Sequence, residues 1–449
     1  MILRFFIVLI FYSFNANATD VQERILTNGL KVLVKEQHRS PVVVSQIWYK
    51  VGSSYEPAGI TGISHMLEHM MFKGTDNHPA GQFSKIIAEN GGRENAFTGR
   101  DYTAYFQTLE KSRLAISFEL EADRMQNLHL LASELKKELQ VVMEERRMRT
   151  EDKPRAKLQE YLMAMAYTNS AYRNPVIGWP EDIENYQVDD LQAWYKKWYA
   201  PNNATLIVVG NVQAEEVFKL AQQYFSKIPQ VAIKPLKPQK EMQQVGVRRM
   251  TIKLPAKVPY ILMAYKVPSL NVIEHTWEAY ALDVLAGVLD GGDSARLATR
   301  LQRGQKIATS VGAGYDLGGR LEELFLFEAT PVAGKSLLDM ELALKKEIRI
   351  LQQELISDKE LERVKAQVLA SSVYEQDSLF YQAMKLGMYE TVGLGWQTSE
   401  NYMQKITQVT AEQVRLVAKK YLIESHLSIA YLDPQSMLAN SKSGASYAH

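Results

Sequence analysis

Two histidines and a glutamate lie within five consecutive residues of this sequence. His65 and His69 are four residues apart, so on a helix both imidazoles would project from one face. Glu68 lies between them, and its carboxylate would sit beside that face. This order, His-x-x-Glu-His, is the inverted form of a motif in which two histidines bind zinc and the glutamate is the general base. The five residues therefore predict a metal-dependent hydrolytic site.

A catalytic zinc ion usually has three protein ligands and one open position, so a further ligand is needed. The helix predicted over Ser133–Arg149 carries Glu134, Glu138 and Glu145 on one face, whereas Glu144 would point about 100° away. We select Glu145 as the third ligand, and Glu138 as the group behind the ligands that orients a histidine or steadies the metal water. Helical spacing alone does not separate these two glutamates. The alternative interpretation is an ordinary solvated helix face.

Histidine–glutamate pairs at helical spacing are more often surface ion pairs than metal sites. Here the flanking residues are apolar, which predicts a buried helix, and buried histidines and carboxylates need a partner. The chain has eight histidines, and two of them fall in this motif. The other six are isolated in the sequence, and we interpret each as structural or exposed: His38, His78, His129, His275, His426 and His449.

Length and composition limit the number of domains and the kinds of partner that we expect for this chain. The 449 residues are enough for two domains of about 200 residues each. A net charge of +1, from 52 basic and 51 acidic residues, gives no reason to expect a nucleic acid or an anionic membrane as a partner. The chain has no cysteine, which excludes disulfides and thiolate ligands.

The first 18 residues have the features of a signal peptide. A basic start precedes an apolar run, and Ala16-Asn17-Ala18 forms a small-x-small cleavage site. We therefore expect export, to a bacterial periplasm, with a retained N-terminal anchor as the alternative. No other apolar run is long enough to span a membrane.

An internal repeat divides the sequence. Val188–Val212 and Val409–Leu432 each read as an amphipathic helix with a Lys-Lys-aromatic element, a short turn and an apolar strand. We predict two homologous domains, 19–230 and 247–440, joined by a proline-containing linker at 231–246 and followed by a disordered tail at 441–449. Each domain should be α+β, with helices covering a mainly antiparallel sheet. The first strand is predicted over Arg24–Lys35.

The second copy of the repeat should have no metal site. Aligning the helix around Val284–Leu289 with the motif helix places Asp283, Ala286 and Gly287 where the first copy has its two histidines and glutamate. None of these three is a histidine, so one Zn²⁺ per chain is expected.

The segment 62–75 resembles the active-site helix of the pitrilysin family of zinc peptidases, nearest to the mitochondrial processing peptidase and its bacterial relatives. In that family the motif is followed about 76 residues later by a glutamate, with another seven residues before it. Glu145 lies 76 residues after His69, and Glu138 lies seven before Glu145. The resemblance covers essentially the whole mature chain and favours Glu145 over Glu144. It implies a zinc endopeptidase or oligopeptidase that hydrolyses peptides or unfolded segments, with Glu68 as general base.

Asn95, Ala96 and Phe97 resemble the edge strand with which this family binds substrate. Such a strand pairs with an extended peptide through main-chain hydrogen bonds, largely independent of substrate sequence. The alternative is an ordinary strand of a hairpin.

The sequence departs from the family at one important point. Self-sufficient members carry an arginine and a tyrosine, seven residues apart, that bind substrate and stabilise the oxyanion; here Gln302 and Thr309 align with them. Losing an oxyanion donor costs on the order of 10²–10³ in rate. We therefore expect a heterodimer in which a homologous subunit supplies the arginine–tyrosine pair. The alternative function is a non-catalytic structural or scaffold subunit of a processing complex.

Overall fold

A computed structural model of the protein describes residues 21–237 and 239–436. The predicted signal peptide (1–18) and tail (441–449) lie outside the described residues. Between Phe225 and Arg248 the described residues form no helix or strand, but the domain boundaries at 230 and 247 stay predictions. Among the helices described, none combines the length and the apolar composition needed to cross a membrane.

The first half of the chain is built on a six-stranded sheet. Its strands are β1 (Val21–Ile25), β2 (Lys31–Glu36), β3 (Val42–Tyr49), β4 (Arg93–Thr98), β5 (Thr103–Glu110) and β6 (Ala204–Gly210). They lie in the order β1-β2-β6-β3-β5-β4, with only β2 and β6 parallel, so β4 is an edge strand. The helices are α1 (Ile63–Met70), α2 (Gln82–Glu89), α3 (Leu114–Gln126), α4 (Ala132–Arg146), α5 (Pro154–Ala166), α6 (Pro180–Glu184), α7 (Val188–Trp198) and α8 (Ala214–Phe225).

The second half repeats this plan with five strands. They are β7 (Arg248–Pro255), β8 (Tyr260–Val267), β9 (Ala308–Gly314), β10 (Glu323–Pro331) and β11 (Leu427–Gln435), in the order β7-β11-β8-β10-β9 with only β7 and β11 parallel. Its helices are α9 (Trp277–Leu289), α10 (Leu337–Gln353), α11 (Asp358–Glu375), α12 (Leu379–Thr391), α13 (Gln397–Thr407) and α14 (Ala411–Tyr421). The predicted repeat corresponds to α7–β6 and α14–β11. The predicted fold, two homologous α+β domains with mainly antiparallel sheets, is confirmed.

The prediction of one strand over Arg24–Lys35 is wrong. The segment forms β1 and β2, which pair antiparallel around a tight turn. Gly29 has a φ of 85° in that turn, and a Cβ there would lie 2.7 Å from Cβ of Asn202. The sequence marks this break, because Thr27, Asn28 and Gly29 interrupt the apolar residues between the buried Leu26 and Leu30, and Asn-Gly is a common turn dipeptide.

The two halves exchange helices. Helix α5 of the first half packs on the second sheet, where Leu158 and Leu162 join a core with Leu262 and Leu432. Helix α12 of the second half packs on the first sheet, against β3 and β6. Each sheet is thereby covered on one face by a helix from the other half. The helix approaches the sheet closely at Gly387, where a Cβ would lie 2.1 Å from Cε2 of Trp48.

Candidate metal centre

The motif helix α1 begins at a fixed point in the structure. Glu56 is buried and accepts hydrogen bonds from the main-chain N–H groups of Gly62, at 2.6 Å, and Ser64, at 2.8 Å. A carboxylate at a helix N-terminus satisfies free N–H groups and interacts favourably with the helix dipole. Gly62 has a φ of 87°, and a Cβ there would lie 2.4 Å from the carbonyl oxygen of Ile177. The start of α1 therefore packs against the loop 173–177, which also lines the cleft around the candidate ligands.

Helix α4 carries the two predicted glutamates toward α1. Leu135 and Val142 anchor its inner face in the core, and Glu138 lies on the same buried side. The end of the helix is fixed by Arg146, whose side chain is 1% exposed and pairs with Glu160 of α5 at 2.9 Å. The helix predicted to reach Arg149 ends at Arg146, and a single π-helical turn, Arg147–Glu151, follows it. Glu144 points away and pairs with Arg147, as predicted from its position on the helix.

His65, His69 and Glu145 converge. One potential ligand atom from each lies within 4.8 Å of the others, and in the described residues they are the one group of three or more such side chains that could hold a metal ion. Oε2 of Glu145 lies 3.3 Å from Nε2 of His69 and 3.8 Å from Nε2 of His65. Two imidazole nitrogens and a carboxylate oxygen are ligands that zinc accepts.

Hydrogen bonding on the far side of His69 fits a cation at this point. Nδ1 of His69 lies 3.1 Å from Oε2 of Glu138, so the ring is held as the tautomer that donates from Nδ1. Its other nitrogen, Nε2, faces Oε2 of Glu145 at 3.3 Å, so either a proton on Nε2 or a metal ion must lie between these two atoms. A metal ion bound here would take the place of that proton. The donor set therefore fits a divalent metal ion.

The two histidines differ electrostatically because their partners differ. Burial, with the neighbouring His69 ring, lowers the pKa of His65 to about 4, which keeps its imidazole neutral and able to bind a metal. Burial also lowers the pKa of His69, but hydrogen bonds to Glu145 and Glu138 outweigh this effect and raise it above 6.5. The hydrogen bond with His69 in turn lowers the pKa of Glu145.

Glu68 lies beside the three candidate ligands and shares their cleft. Burial raises the pKa of its carboxyl above 4.5, although a hydrogen bond from Thr98 opposes the shift. A carboxylate with a raised pKa takes up a proton more readily, as a general base in hydrolysis must. The cleft has a volume of about 850 Å³ and is large enough for a stretch of peptide.

The predicted substrate-binding residues form one wall of this cleft. Asn95, Ala96 and Phe97 lie on the edge strand β4, with the loop 173–177 among the other lining residues. The phenyl ring of Phe97 packs on Trp48, with ring centroids 5.3 Å apart. The Phe97 side chain therefore also contributes to the hydrophobic core. The main-chain N–H of Ala96 donates to Oδ1 of Asn95 at 2.8 Å.

Three residues at the site were missed from the sequence. Nζ of Lys73 lies 2.5 Å from Oε1 of Glu138, and Nη1 of Arg149 lies 2.7 Å from Oε1 of Glu145. Both could have been found, because Lys73 and Arg149 lie four residues after His69 and Glu145. The third is Thr98, whose hydroxyl donates to Glu68 at 2.5 Å. No local spacing indicates that contact, since 30 residues separate the two.

The positions aligned with the family's arginine and tyrosine contact each other. Nε2 of Gln302 donates to the main-chain oxygen of Thr309 at 2.9 Å, and neither residue is among the described residues that line the cleft. In the second copy of the motif helix, Gly287 faces Val364 of α11, and a Cβ would lie 2.8 Å from Cγ1 of that valine. Helix α11 thus packs close against the position that corresponds to His69.

Comparisons with known proteins relate both halves of the chain to one peptidase family. Residues 31–179 match the family described as Insulinase (Peptidase family M16), and residues 185–368 match the Peptidase M16 inactive domain. The first match contains His65, Glu68, His69 and Glu145, and the second match ends at residue 368, within the second half of the chain. The names of the two families fit a chain whose candidate metal ligands lie in its first half.

Proteins that match almost the whole length of the chain also carry peptidase names. The chain is 32% identical over 417 residues to zinc protease PqqE of Helicobacter pylori, a match that covers 91% of this chain and 92% of the relative. The crystal structure of a protease from Helicobacter pylori is similar with a TM-score of 0.87 and 30% identity, over 92% of this chain and 99% of that one. A Pseudomonas fluorescens peptidase M16 inactive domain shares the fold, with a TM-score of 0.82 at 18% identity over 93% of this chain and 98% of that one.

Proposed function

Because the chain belongs to peptidase family M16, the pitrilysin family, we propose that it is a zinc-dependent endopeptidase or oligopeptidase acting on peptides or unfolded segments. The observation that carries the proposal is the convergence of His65, His69 and Glu145, with ligand atoms within 4.8 Å of one another, in a cleft that also contains Glu68. The position of the chain nearest the branch of the mitochondrial processing peptidase is part of this proposal and rests on the sequence resemblance.

The three converging side chains would hold one Zn²⁺ and leave a position open for water and substrate. Zinc in such a site supplies a Lewis acid for a peptide carbonyl and lowers the pKa of a water molecule to about 7. Glu138 holds His69 in the tautomer that presents Nε2, and Arg149 holds the outer oxygen of Glu145, so the inner oxygen remains directed at the histidines.

Glu68 acts as the general base. Its carboxylate accepts the proton of the attacking water and returns it to the leaving amine, so that one group serves both steps. Burial, which raises its pKa, favours the first transfer because the protonated form is more readily reached. The substrate lies along β4, whose outer edge can pair with an extended peptide through main-chain hydrogen bonds at Asn95, Ala96 and Phe97.

The chain works with a homologous subunit that supplies an arginine and a tyrosine. Support comes from Gln302 and Thr309, which offer neither a positive charge nor a phenol and bond to each other. The purified chain should therefore cleave peptides slowly, and a homologue that carries the pair should accelerate it on the order of 10²–10³-fold. If the purified chain alone were fully active, and the homologue did not change its rate of peptide cleavage, the proposal of a partner subunit would be wrong.

The decisive experiment measures zinc and cleavage together. The protein should contain one zinc ion by elemental analysis and cleave an unstructured peptide, and both a chelator and E68Q should stop cleavage while E68Q keeps its zinc. A folded chain that lacks zinc and activity would instead be a scaffold subunit. Export to the periplasm is proposed from residues 1–18 alone, and N-terminal sequencing of the protein from the periplasmic fraction tests it.

A further inference from the structure

The hydroxyl of Thr98 is bonded to the general base. Oγ1 of Thr98 donates to Oε2 of Glu68 at 2.5 Å, and both side chains are half-buried. In the described part of the chain, the other oxygen of Glu68, Oε1, has no hydrogen-bond partner. The bond therefore distinguishes the two oxygens: one is held by the protein, and the other is left for a proton.

The position of Thr98 in the fold gives this bond a wider role. Thr98 is the last residue of β4, and in a strand it projects to the same face as Ala96, toward α1. The opposite face carries Phe97, which packs on Trp48. The strand that would hold the substrate is thus joined to the base by a hydrogen bond between side chains.

We propose that Thr98 is a positioning residue that fixes the carboxylate of Glu68 in register with the substrate strand. The role rests on the proposed peptidase function. A carboxylate on a flexible side chain can rotate away from the proton that it must accept, whereas a bonded oxygen restricts it to one orientation. Proton transfer depends on the donor and acceptor lying within about 2.6–3.2 Å, so the loss of this restraint slows catalysis without removing the base.

A simpler explanation is that the bond only stabilises the hairpin of β4 and β5. That role predicts a different pattern of effects. Loss of a bond with only that role would lower the stability of the protein and leave the kinetic constants of the folded enzyme unchanged. Loss of orientation at the base lowers kcat and leaves KM and zinc binding unchanged.

The test compares T98V, which keeps the shape and removes the hydroxyl, with T98S, which keeps the hydroxyl. T108V on β5 is the matched control, because Thr108 is half-buried on the neighbouring strand outside the cleft. With an unstructured peptide in excess over enzyme, T98V should lose about tenfold or more in kcat with little change in KM. T98S and T108V should stay within about threefold of the unaltered protein. All should bind zinc equally, and a crystal structure of T98V should show a displaced Glu68 carboxylate.

Two failures can be told apart. Unaltered protein that cleaves peptide and is stopped by E68Q, together with a T98V variant at full kcat, would overturn the role of Thr98 alone. The same conclusion would follow if T98S were as slow as T98V, or if T98V kept the carboxylate in place. Zinc-loaded protein without any cleavage, alone or with a homologous subunit, would overturn the peptidase function and this role with it.

Discussion

Arg149 holds the side of Glu145 that faces away from the histidines. Its Nη1 lies 2.7 Å from Oε1 of Glu145, while Oε2 of the same carboxylate lies 3.3 Å from Nε2 of His69. Arg149 follows Glu145 by four residues, within the π-helical turn that ends α4. Such turns occur often at functional sites. The ion pair therefore orients a candidate ligand from behind.

Replacing Arg149 should weaken zinc binding. Residues that orient metal ligands contribute about 10–100-fold to affinity, and we expect R149A to lie at the low end because its side chain is 70% exposed. Competition with a chromogenic chelator measures the change. R147A is the matched control, since Arg147 pairs with Glu144 on the outer side of the same turn. Equal affinities of the two variants would contradict the role of Arg149.

Glu138 should matter more than Arg149. Its carboxylate lies between His69 and Lys73, and its side chain is 8% exposed, so solvent screens these contacts little. We expect E138A to weaken zinc binding about 10–100-fold, because His69 loses the acceptor that fixes its tautomer. E134A is the control, since Glu134 pairs with Lys137 on the same helix. If E138A bound zinc as tightly as E134A, His69 would not need the hydrogen bond to Glu138 in order to bind the metal.

Gly387 tests the exchange of helices between the halves. A methyl group at this position would lie 2.1 Å from Trp48, so G387A must displace α12 from the first sheet. Overpacking costs about 1–3 kcal/mol, whereas alanine gains at most about 1 kcal/mol over glycine in a helix, so a net loss of stability is expected. The thermal midpoint of G387A should fall, and that of G246A should not, because nothing lies within 4 Å of a Cβ at Gly246. An unchanged midpoint for G387A would mean that α12 adapts without cost.

Local spacing in the sequence was enough to predict that three side chains at the centre of the candidate site lie close together. His65, Glu68 and His69 lie within about one helical turn, so their relative positions follow from helix geometry. Glu145 required the resemblance to a family, because the packing of α4 on α1 is a tertiary contact that spacing does not encode. Their roles as ligands and base stay predictions until zinc and activity are measured. The contact of Glu138 with His69 agrees with its predicted place behind a ligand.

Contacts between distant segments could not be predicted. The bond from Thr98 to Glu68 depends on how the β4–β5 hairpin packs on α1. The exchange of α5 and α12 was equally hidden, because an amphipathic helix indicates that one face is buried but not which sheet buries it. In both cases the deciding interaction is between residues far apart in sequence. The break between β1 and β2 is different, because Asn28-Gly29 marks a turn there that the sequence alone could have indicated.

The stability of the second half should decline in acid through Glu360. Hydrogen bonds from Arg296, and from Ser357 at the start of α11, lower the pKa of Glu360 from 4.5 to about 2 despite partial burial. The unfolded chain thus binds a proton at higher pH than the folded chain does. The contribution of this group to the free energy of unfolding is therefore complete above pH 4.5 and is lost as the pH falls toward 2.

Urea unfolding at about pH 6 and about pH 3 measures this contribution as the difference between the unaltered protein and E360Q. We expect E360Q to be less stable by about 1–2 kcal/mol at the higher pH, a value reduced for the partial exposure of the carboxylate, and by less at the lower pH. E362Q is the control on the same helix, because the Glu362 side chain is 72% exposed and its nearest cation, Lys365, is 3.8 Å away. A difference for E360Q that stays constant or grows as the pH falls would contradict the assignment, because only a carboxylate stabilised in its charged form loses its contribution on protonation.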